Sequence, residues 1–191
     1  MSGSVAGVFL DRDGTLNRAY VREGVSHPPM TEAQLGVLPG VPEALAVLSA
    51  AGFKLIVVTN QPDVARGTLT LGAAERIHLA LRERLPLIDD LTCCYDDDAD
   101  GCLCRKPLPG MLLRGASRFG LDVTRSFMVG DSWRDWEAGR RAGCRTIHLG
   151  APPPSATSAP DYLAEDLSNA AAIVLRVARA EEGAVVENIC R

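Results

Sequence analysis

Phe9-Leu10-Asp11-Arg12-Asp13-Gly14-Thr15-Leu16-Asn17 is the stretch on which the fold of this chain turns. An apolar run that begins at Gly7 ends in two carboxylates two residues apart, and Gly14-Thr15 follow at once. Residues i and i+2 of a strand point to the same side, so Asp11 and Asp13 are expected to converge just beyond the strand end. Two carboxylates in a small space repel unless a cation lies between them or one takes a proton. A hard cation with oxygen ligands, such as Mg²⁺, resolves the conflict and attracts phosphate as well. Asp11 is then a candidate nucleophile and Asp13 a candidate proton shuttle. The plainer alternative is a strand closed by a solvated acidic turn, but Gly14 and Thr15 suit a phosphate-facing turn.

Outward from this stretch, strands and helices alternate. Residues 7–11 read as a short buried strand. Residues 18–39, with Pro28, Pro29 and Pro39 and no clear period, read as a functional loop or flap. Val41, Ala44, Leu45, Val47 and Leu48 have helical spacing, closed by Gly52. Residues 53–60 form a second strand, apolar through its centre. Residues 70–85 read as an amphipathic helix with Thr70 as N-cap, and 91–95 as a weaker strand. A helix over 110–119 starts at Pro109, a strand over 126–131 leads into a helix over 133–142 closed by Gly143, and 145–149 is a fifth strand. Residues 151–160 are a Pro/Ser/Ala-rich connector. The region 161–191 supplies a sixth strand, a helix capped by Ser168 and running to about residue 180, and a frayed tail. This alternation means an α/β fold, a mainly parallel sheet covered on both faces, in which ligands bind beyond the carboxyl ends of the strands. Asp11, Thr59-Asn60 and Asp131 all fall at such ends, so they are expected to form one site.

Composition narrows the function further. The 191 residues suffice for one domain with a real core. A net charge of −4 argues against nucleic acid as the main partner. The first residues lack the basic segment and apolar core of a secretory signal, and no apolar run approaches a membrane span. A cytoplasmic monomer is expected. Cys93, Cys94, Cys102 and Cys104 lie too close together for a secreted disulfide framework, so reduced thiols or metal ligation fit them better.

Four segments fit a single chemistry: Asp11-x-Asp13-Gly14-Thr15; Thr59 after its apolar strand, with Asn60 and Gln61 behind it; Lys106 within Cys104-Arg105-Lys106-Pro107; and Gly130-Asp131-Ser132-x-x-Asp135. Together they resemble the haloacid dehalogenase-like hydrolases, over about residues 6–150. The resemblance implies a Rossmann-like three-layer sandwich and an aspartyl-phosphate mechanism. By it, Asp11 attacks phosphorus, Asp13 acts as acid and then base, and Mg²⁺ is held by Asp11, the Asp13 carbonyl and Asp131. Thr59, Asn60 and Lys106 hold the phosphoryl group. Asp135 supports the metal from behind or is merely an acidic first-turn residue, the second reading being slightly preferred. No insertion is large enough for a cap domain, which leaves a site open to small phosphorylated metabolites.

Cys102-x-Cys104 just before Arg105-Lys106-Pro107, with Cys94 upstream, resembles the zinc loop (here residues 93–106) of the histidinol-phosphate and heptose-bisphosphate phosphatase branch. That likeness implies a structural Zn²⁺ on Cys94, Asp96, Cys102 and Cys104, with aspartate where the branch has histidine. Cys93, Asp97, Asp98 and Asp100 are alternative ligands. Thr59-Asn60-Gln61-x-x-x-Ala65-Arg66-Gly67 and Arg105-Lys106-Pro107-x-Pro109-Gly110 lean towards the heptose side, where Arg105, Gln61 and Tyr20 would meet the sugar phosphate. Arg66 either faces substrate or pairs with the acidic loop. The Asp-His pair usual before that tyrosine is missing, and Arg18-Ala19-Tyr20-Val21 stands in its place. His78, His148 and Cys144 read as packing residues, and Trp133 or Trp136 lines the pocket or braces a helix. Two other classes fit the motifs less well. A phosphorylatable receiver module places its aspartate on a later strand, and a catalytically silent scaffold would not need complete motifs.

Overall fold

Gly7–Leu10 forms β1, with every side chain buried, and it lies near the middle of a six-stranded sheet. The structure, a computed structural model, describes residues 5–22, 25–152 and 158–189. After β1 come β2 (Tyr20–Arg22), β3 (Val25–His27), α1 (Val41–Ala50), β4 (Lys54–Asn60) and α2 (Leu71–Arg84). These are followed by β5 (Asp90–Cys94), α3 (Gly110–Phe119), β6 (Phe127–Gly130), α4 (Trp133–Ala142), β7 (Arg145–Leu149), β8 (Tyr162–Ala164) and α5 (Leu167–Ile189). The sheet order is β5-β4-β1-β6-β7-β8, and every pairing in it is parallel. The expected α/β three-layer architecture is therefore present, and no cap domain is inserted among the described residues.

Alternation along β1 decides the two cores. Val8 and Leu10 join Leu55 and Val57 of β4 beneath α1, α2 and α5, through Leu45, Leu48, Ile77, Leu81 and Val174. Phe9 points the other way and meets Ile56, Val58 and Met128 beneath α3 and α4, through Met111, Leu112, Ala116 and Ala138. Each such fully buried side chain contributes about 1.5–3 kcal/mol, so both helical layers are fixed by the strands' period of two. The α-helix caps agree with this frame: Thr70 Oγ1 accepts from Ala73 N, and Ser132 with Asp135 forms a reciprocal capping box on α4.

Three expectations change. Residues 20–27 are a two-stranded antiparallel hairpin, β2–β3, rather than an irregular flap. The last helix begins at Leu167, one turn-starting residue after Asp166, whose Oδ1 accepts from Asn169 N. Asp166 therefore does the work expected of Ser168, and α5 continues to Ile189 where a frayed tail was expected. Part of the 151–160 connector lies outside the described residues. No helix among the described residues is long and apolar enough to cross a membrane.

Candidate active site

The carboxyl ends of β1, β4 and β6 open into a cavity of about 690 Å³. Asp11, Asp13, Thr59, Asn60, Arg105, Lys106, Asp131 and Asp135 all line it, together with Arg66, His27 and the α4 residues Trp133 and Arg134. Asp11 follows β1 directly and its N–H donates to the Val129 carbonyl at 2.9 Å, which ties the nucleophile position to β6. Lys106 is buried and its Nζ bridges Asp11 Oδ1 and Asp135 Oδ1, each at 2.6 Å, with Val58 O at 2.8 Å. Its backbone is pinned by Asn60, whose Oδ1 accepts from Lys106 N at 3.0 Å while Nδ2 donates to Lys106 O at 2.9 Å. Asn60 thus spends its amide on positioning the lysine.

One ammonium faces three acids. Carboxylate oxygens of Asp11, Asp131 and Asp135 all lie within 4.8 Å of one another. Burial pushes the Asp11 carboxyl up to about 8 against the pull of Lys106, and Asp135, Asp131 and Asp13 add to the rise. Asp131 is raised to about 6 by burial and by the Asp135 charge. Burial works against the Lys106 ammonium, but Asp11 and Asp135 outweigh it and hold its pKa above the ordinary lysine range. Charge remains uncompensated here, and a divalent cation with oxygen preference fits the donor set.

Asp13 is held differently. Its carboxylate accepts from Arg12 Nη2 at 2.8 Å and Nε at 3.1 Å, from Asn17 Nδ2 at 2.8 Å and from Gln61 Nε2 at 2.8 Å. Arg12 is among the largest fully buried side chains. Sequence reasoning missed Arg12 and Asn17; the only signal was that both sit inside the acidic motif. Gln61 also donates to Thr59 Oγ1 at 2.9 Å. With a lone pair so occupied, the Thr59 hydroxyl hydrogen is free to point into the cavity.

Two expected substrate contacts are corrected. Gln61 is buried and does not line the cavity; its amide serves Asp13 and Thr59. Tyr20 does not line the cavity either, because its hydroxyl donates to the Gln34 carbonyl and ties the hairpin to the following turn. The open choices resolve as well. Asp135 is both a helix-capping residue and a member of the acidic cluster, since Oδ2 accepts from Ser132 N at 2.9 Å while Oδ1 takes Lys106. Trp133 lines the cavity, whereas Trp136 is buried edge-on against His148, with ring centroids 4.8 Å apart. Arg66 lines the cavity and also pairs with the loop, bidentate on Asp97 at 2.6 and 2.8 Å.

The cysteine loop stands beside this cavity. Sulfur and oxygen atoms of Cys94, Asp96, Cys102 and Cys104 lie within 4.8 Å of one another. Zn–S bonds of about 2.3 Å imply tetrahedral edges of roughly 3.8 Å. Cys94 Sγ lies 3.9 Å from Cys102 Sγ and 3.8 Å from Asp96 Oδ2, and Cys104 Sγ is 3.9 Å from the same oxygen. Cys104 Sγ is closer to the other sulfurs, at 2.9 Å from Cys94 and 2.50 Å from Cys102. Cys93 lies outside the group; burial pushes its thiol up to about 12. Downstream of the cluster, Arg105 is buried and engaged by the same loop, through Asp98 Oδ1 at 2.7 Å and the Asp96 carbonyl at 3.0 Å.

A search against family models matches residues 29–143 to the haloacid dehalogenase-like hydrolases. The chain belongs to the haloacid dehalogenase-like hydrolases. Relatives of this hydrolase match over most of its length. It is 38% identical over 144 residues to D-glycero-beta-D-manno-heptose-1,7-bisphosphate 7-phosphatase of Bordetella bronchiseptica, covering 72% of this chain and 76% of that one. It is 34% identical over 185 residues to the enzyme of the same name from Escherichia coli K12, covering 88% and 93%. Among solved structures, the D,D-heptose 1.7-bisphosphate phosphatase of B. bronchiseptica complexed with magnesium and phosphate superposes with a TM-score of 0.76 at 29% identity, covering 90% of this chain and 99% of that one. As a haloacid dehalogenase-like hydrolase with Asp11 directly after β1, the protein is not a receiver module.

Proposed function

We propose that this hydrolase is a Mg²⁺-dependent phosphatase that removes the 7-phosphate of D-glycero-D-manno-heptose 1,7-bisphosphate through an aspartyl-phosphate on Asp11. The observation that carries the reading is the Lys106 bridge from Asp11 to Asp135, with Asp131 alongside, in a cavity lined by Thr59. The sugar is taken from the activity of the relatives, which match over most of both chains.

Because Oδ1 of Asp11 is tied to Lys106, Oδ2 is the oxygen left to attack phosphorus in line. The bond from phosphorus to the sugar oxygen breaks as the new bond forms, and Asp13 gives its proton to the leaving alkoxide. Asp13 then takes a proton from the water that cleaves the acyl phosphate, which restores both residues. Arg12, Asn17 and Gln61 keep the Asp13 carboxyl in place for both transfers. Thr59 and Lys106 meet the charge that spreads over the phosphoryl oxygens. Mg²⁺, held by Asp11, Asp131 and the Asp13 carbonyl with Asp135 behind them, would neutralise the remaining carboxylate charge and polarise the phosphoryl group.

A structural Zn²⁺ on Cys94, Asp96, Cys102 and Cys104 belongs to the same reading. It would fix the loop whose carboxylates hold Arg105 and Arg66 at the cavity wall. Reduced thiols fit a cytoplasmic enzyme, acting here as a monomer. A phosphate-release screen with Mg²⁺ over heptose 1,7-bisphosphate, histidinol phosphate and common sugar phosphates tests the assignment. The heptose bisphosphate should give the highest kcat/KM, and a clear preference for another compound overturns the substrate.

A further inference from the structure

Cys102 and Cys104 face solvent on the cysteine loop, and Cys94 does not. Both are half-buried and Leu103 between them is 77% exposed, whereas Cys94 at the end of β5 is 1% exposed. Their Cα atoms are 5.5 Å apart, inside the range that a disulfide spans. The Cys104 N–H donates to Cys102 Sγ at 3.2 Å, which holds that sulfur over the neighbouring backbone. An oxidant from solvent therefore meets this Cys-x-Cys pair first, and the pair can close without a movement of the backbone.

Two cations on the cavity wall depend on the same loop. Asp96 supplies an oxygen to the sulfur cluster, and its carbonyl accepts from Arg105 Nη1 at 3.0 Å. Asp98 Oδ1 takes Arg105 Nε at 2.7 Å, and Asp97 takes Arg66 at 2.6 and 2.8 Å. Lys106 is held elsewhere, its backbone by Asn60 and its ammonium by Asp11, Val58 and Asp135. Freeing the loop thus loosens Arg105 and Arg66 and leaves the reacting centre in place. We propose that Cys102 and Cys104 are a peroxide-sensitive thiol pair, and that closing it into a disulfide discards the zinc and weakens substrate binding. This rests on the zinc site and the phosphatase activity proposed above. The Cys104 sulfur attacks one oxygen of hydrogen peroxide; the O–O bond breaks, and the departing hydroxide takes a proton from the thiol or from solvent to become water. The sulfur, oxidised by two electrons, is now a sulfenic acid. The Cys102 sulfur attacks it, the S–S bond forms as the S–O bond breaks, and the second hydroxide leaves as water in the same way. A disulfide offers no thiolate to a metal, so two of the four ligands are lost together and Asp96 is released with the loop.

The test treats reduced, zinc-loaded enzyme with hydrogen peroxide. It reads zinc captured by a chromogenic chelator, the disulfide by non-reducing peptide mapping, and kcat and KM for heptose 1,7-bisphosphate. About one zinc per chain should be released as the Cys102–Cys104 disulfide appears. KM should rise about 10-fold or more, the scale of one lost charge-assisted contact, while kcat changes much less. Dithiothreitol with added zinc should reverse all of these changes. Cys102→His keeps a zinc ligand but cannot form the bridge, so its KM, whatever the starting value, should not respond to peroxide. Cys93→Ser should respond as the wild type does. Peroxide that leaves both thiols free, a disulfide formed with KM unchanged, or an equal KM response in Cys102→His overturns the switch and leaves the zinc site and the phosphatase standing. Untreated enzyme that is active but carries no zinc overturns the metal site and the switch together. Untreated enzyme that does not hydrolyse the sugar overturns the phosphatase reading, and with it the proposed effect on binding.

Discussion

A Cβ on Gly14 would fall 1.9 Å from Oδ2 of Asp131. Gly14 also holds φ +85, a left-handed conformation that costs any other residue about 1–2 kcal/mol. The turn after β1 is thus pressed against the turn after β6, and that contact sets how closely the two halves of the acidic site approach. Gly14→Ala should displace Asp131 and cut turnover at least about 100-fold, the usual result of a misplacement near 1 Å, with a raised Mg²⁺ requirement. Mg²⁺ titration of the variant checks this; an unaltered metal requirement would show that the contact does not shape the site.

Lys106 serves folding as well as turnover, because it is buried between Asp11 and Asp135. Removing one partner of a buried ionic group costs about 3–5 kcal/mol, and an oxyanion donor is worth about 10²–10³ in rate. Lys106→Met should therefore lose turnover on that scale and also unfold at lower temperature in EDTA. Mg²⁺ should restore part of the stability by pairing with the released carboxylates, a shift that calorimetry in the two buffers would read.

His78 gives the fold an acid-sensitive point behind the Arg12–Asp13 pair. Burial, then the nearby Arg12 charge, lowers its pKa from 6.5 to about 4, and its Nδ1 lies 3.4 Å from the Tyr95 hydroxyl. Between those values the unfolded chain binds more protons than the folded one. Stability is therefore full above 6.5 and falls as pH drops through the window, by up to about 3 kcal/mol. Denaturant midpoints measured from neutral pH downwards should decline over this range, and His78→Gln should flatten the slope. An equal slope in the variant would place the sensitivity elsewhere.

The cysteine loop makes a metal prediction independent of activity. Protein purified under reducing conditions should carry one zinc per chain by elemental analysis. Asp96→Ala should weaken retention, since a carboxylate oxygen supplies one of four ligands, while Cys93→Ser should not. Full zinc content in Asp96→Ala would mean that another group completes the site.

The main features of the site were legible because they sit where strand periodicity puts them. Asp11 and Asp131 follow directly from apolar runs, and Lys106 could be read from its motif although 95 residues separate it from Asp11. What stayed hidden depends on side chains meeting across the fold. Arg12 looks like a surface residue between two acids, yet it is buried as the clamp on Asp13. Gln61 and Tyr20 carry groups that suit a substrate, but nearer internal acceptors claim them. The β2–β3 hairpin has strands of only three residues, too short to show a period, so period alone could not reveal it. From sequence Asp135 reads as cap or metal support, whereas its two oxygens let it do one job each.

The most direct test of the account is to trap the phosphorylated enzyme. Wild-type protein mixed with Mg²⁺ and heptose 1,7-bisphosphate, quenched in acid within the first turnover and digested, should carry one phosphoryl group on the peptide containing Asp11. That adduct should vanish in Asp11→Asn together with turnover. A phosphoryl group mapped to another residue, or full turnover in Asp11→Asn, would contradict it.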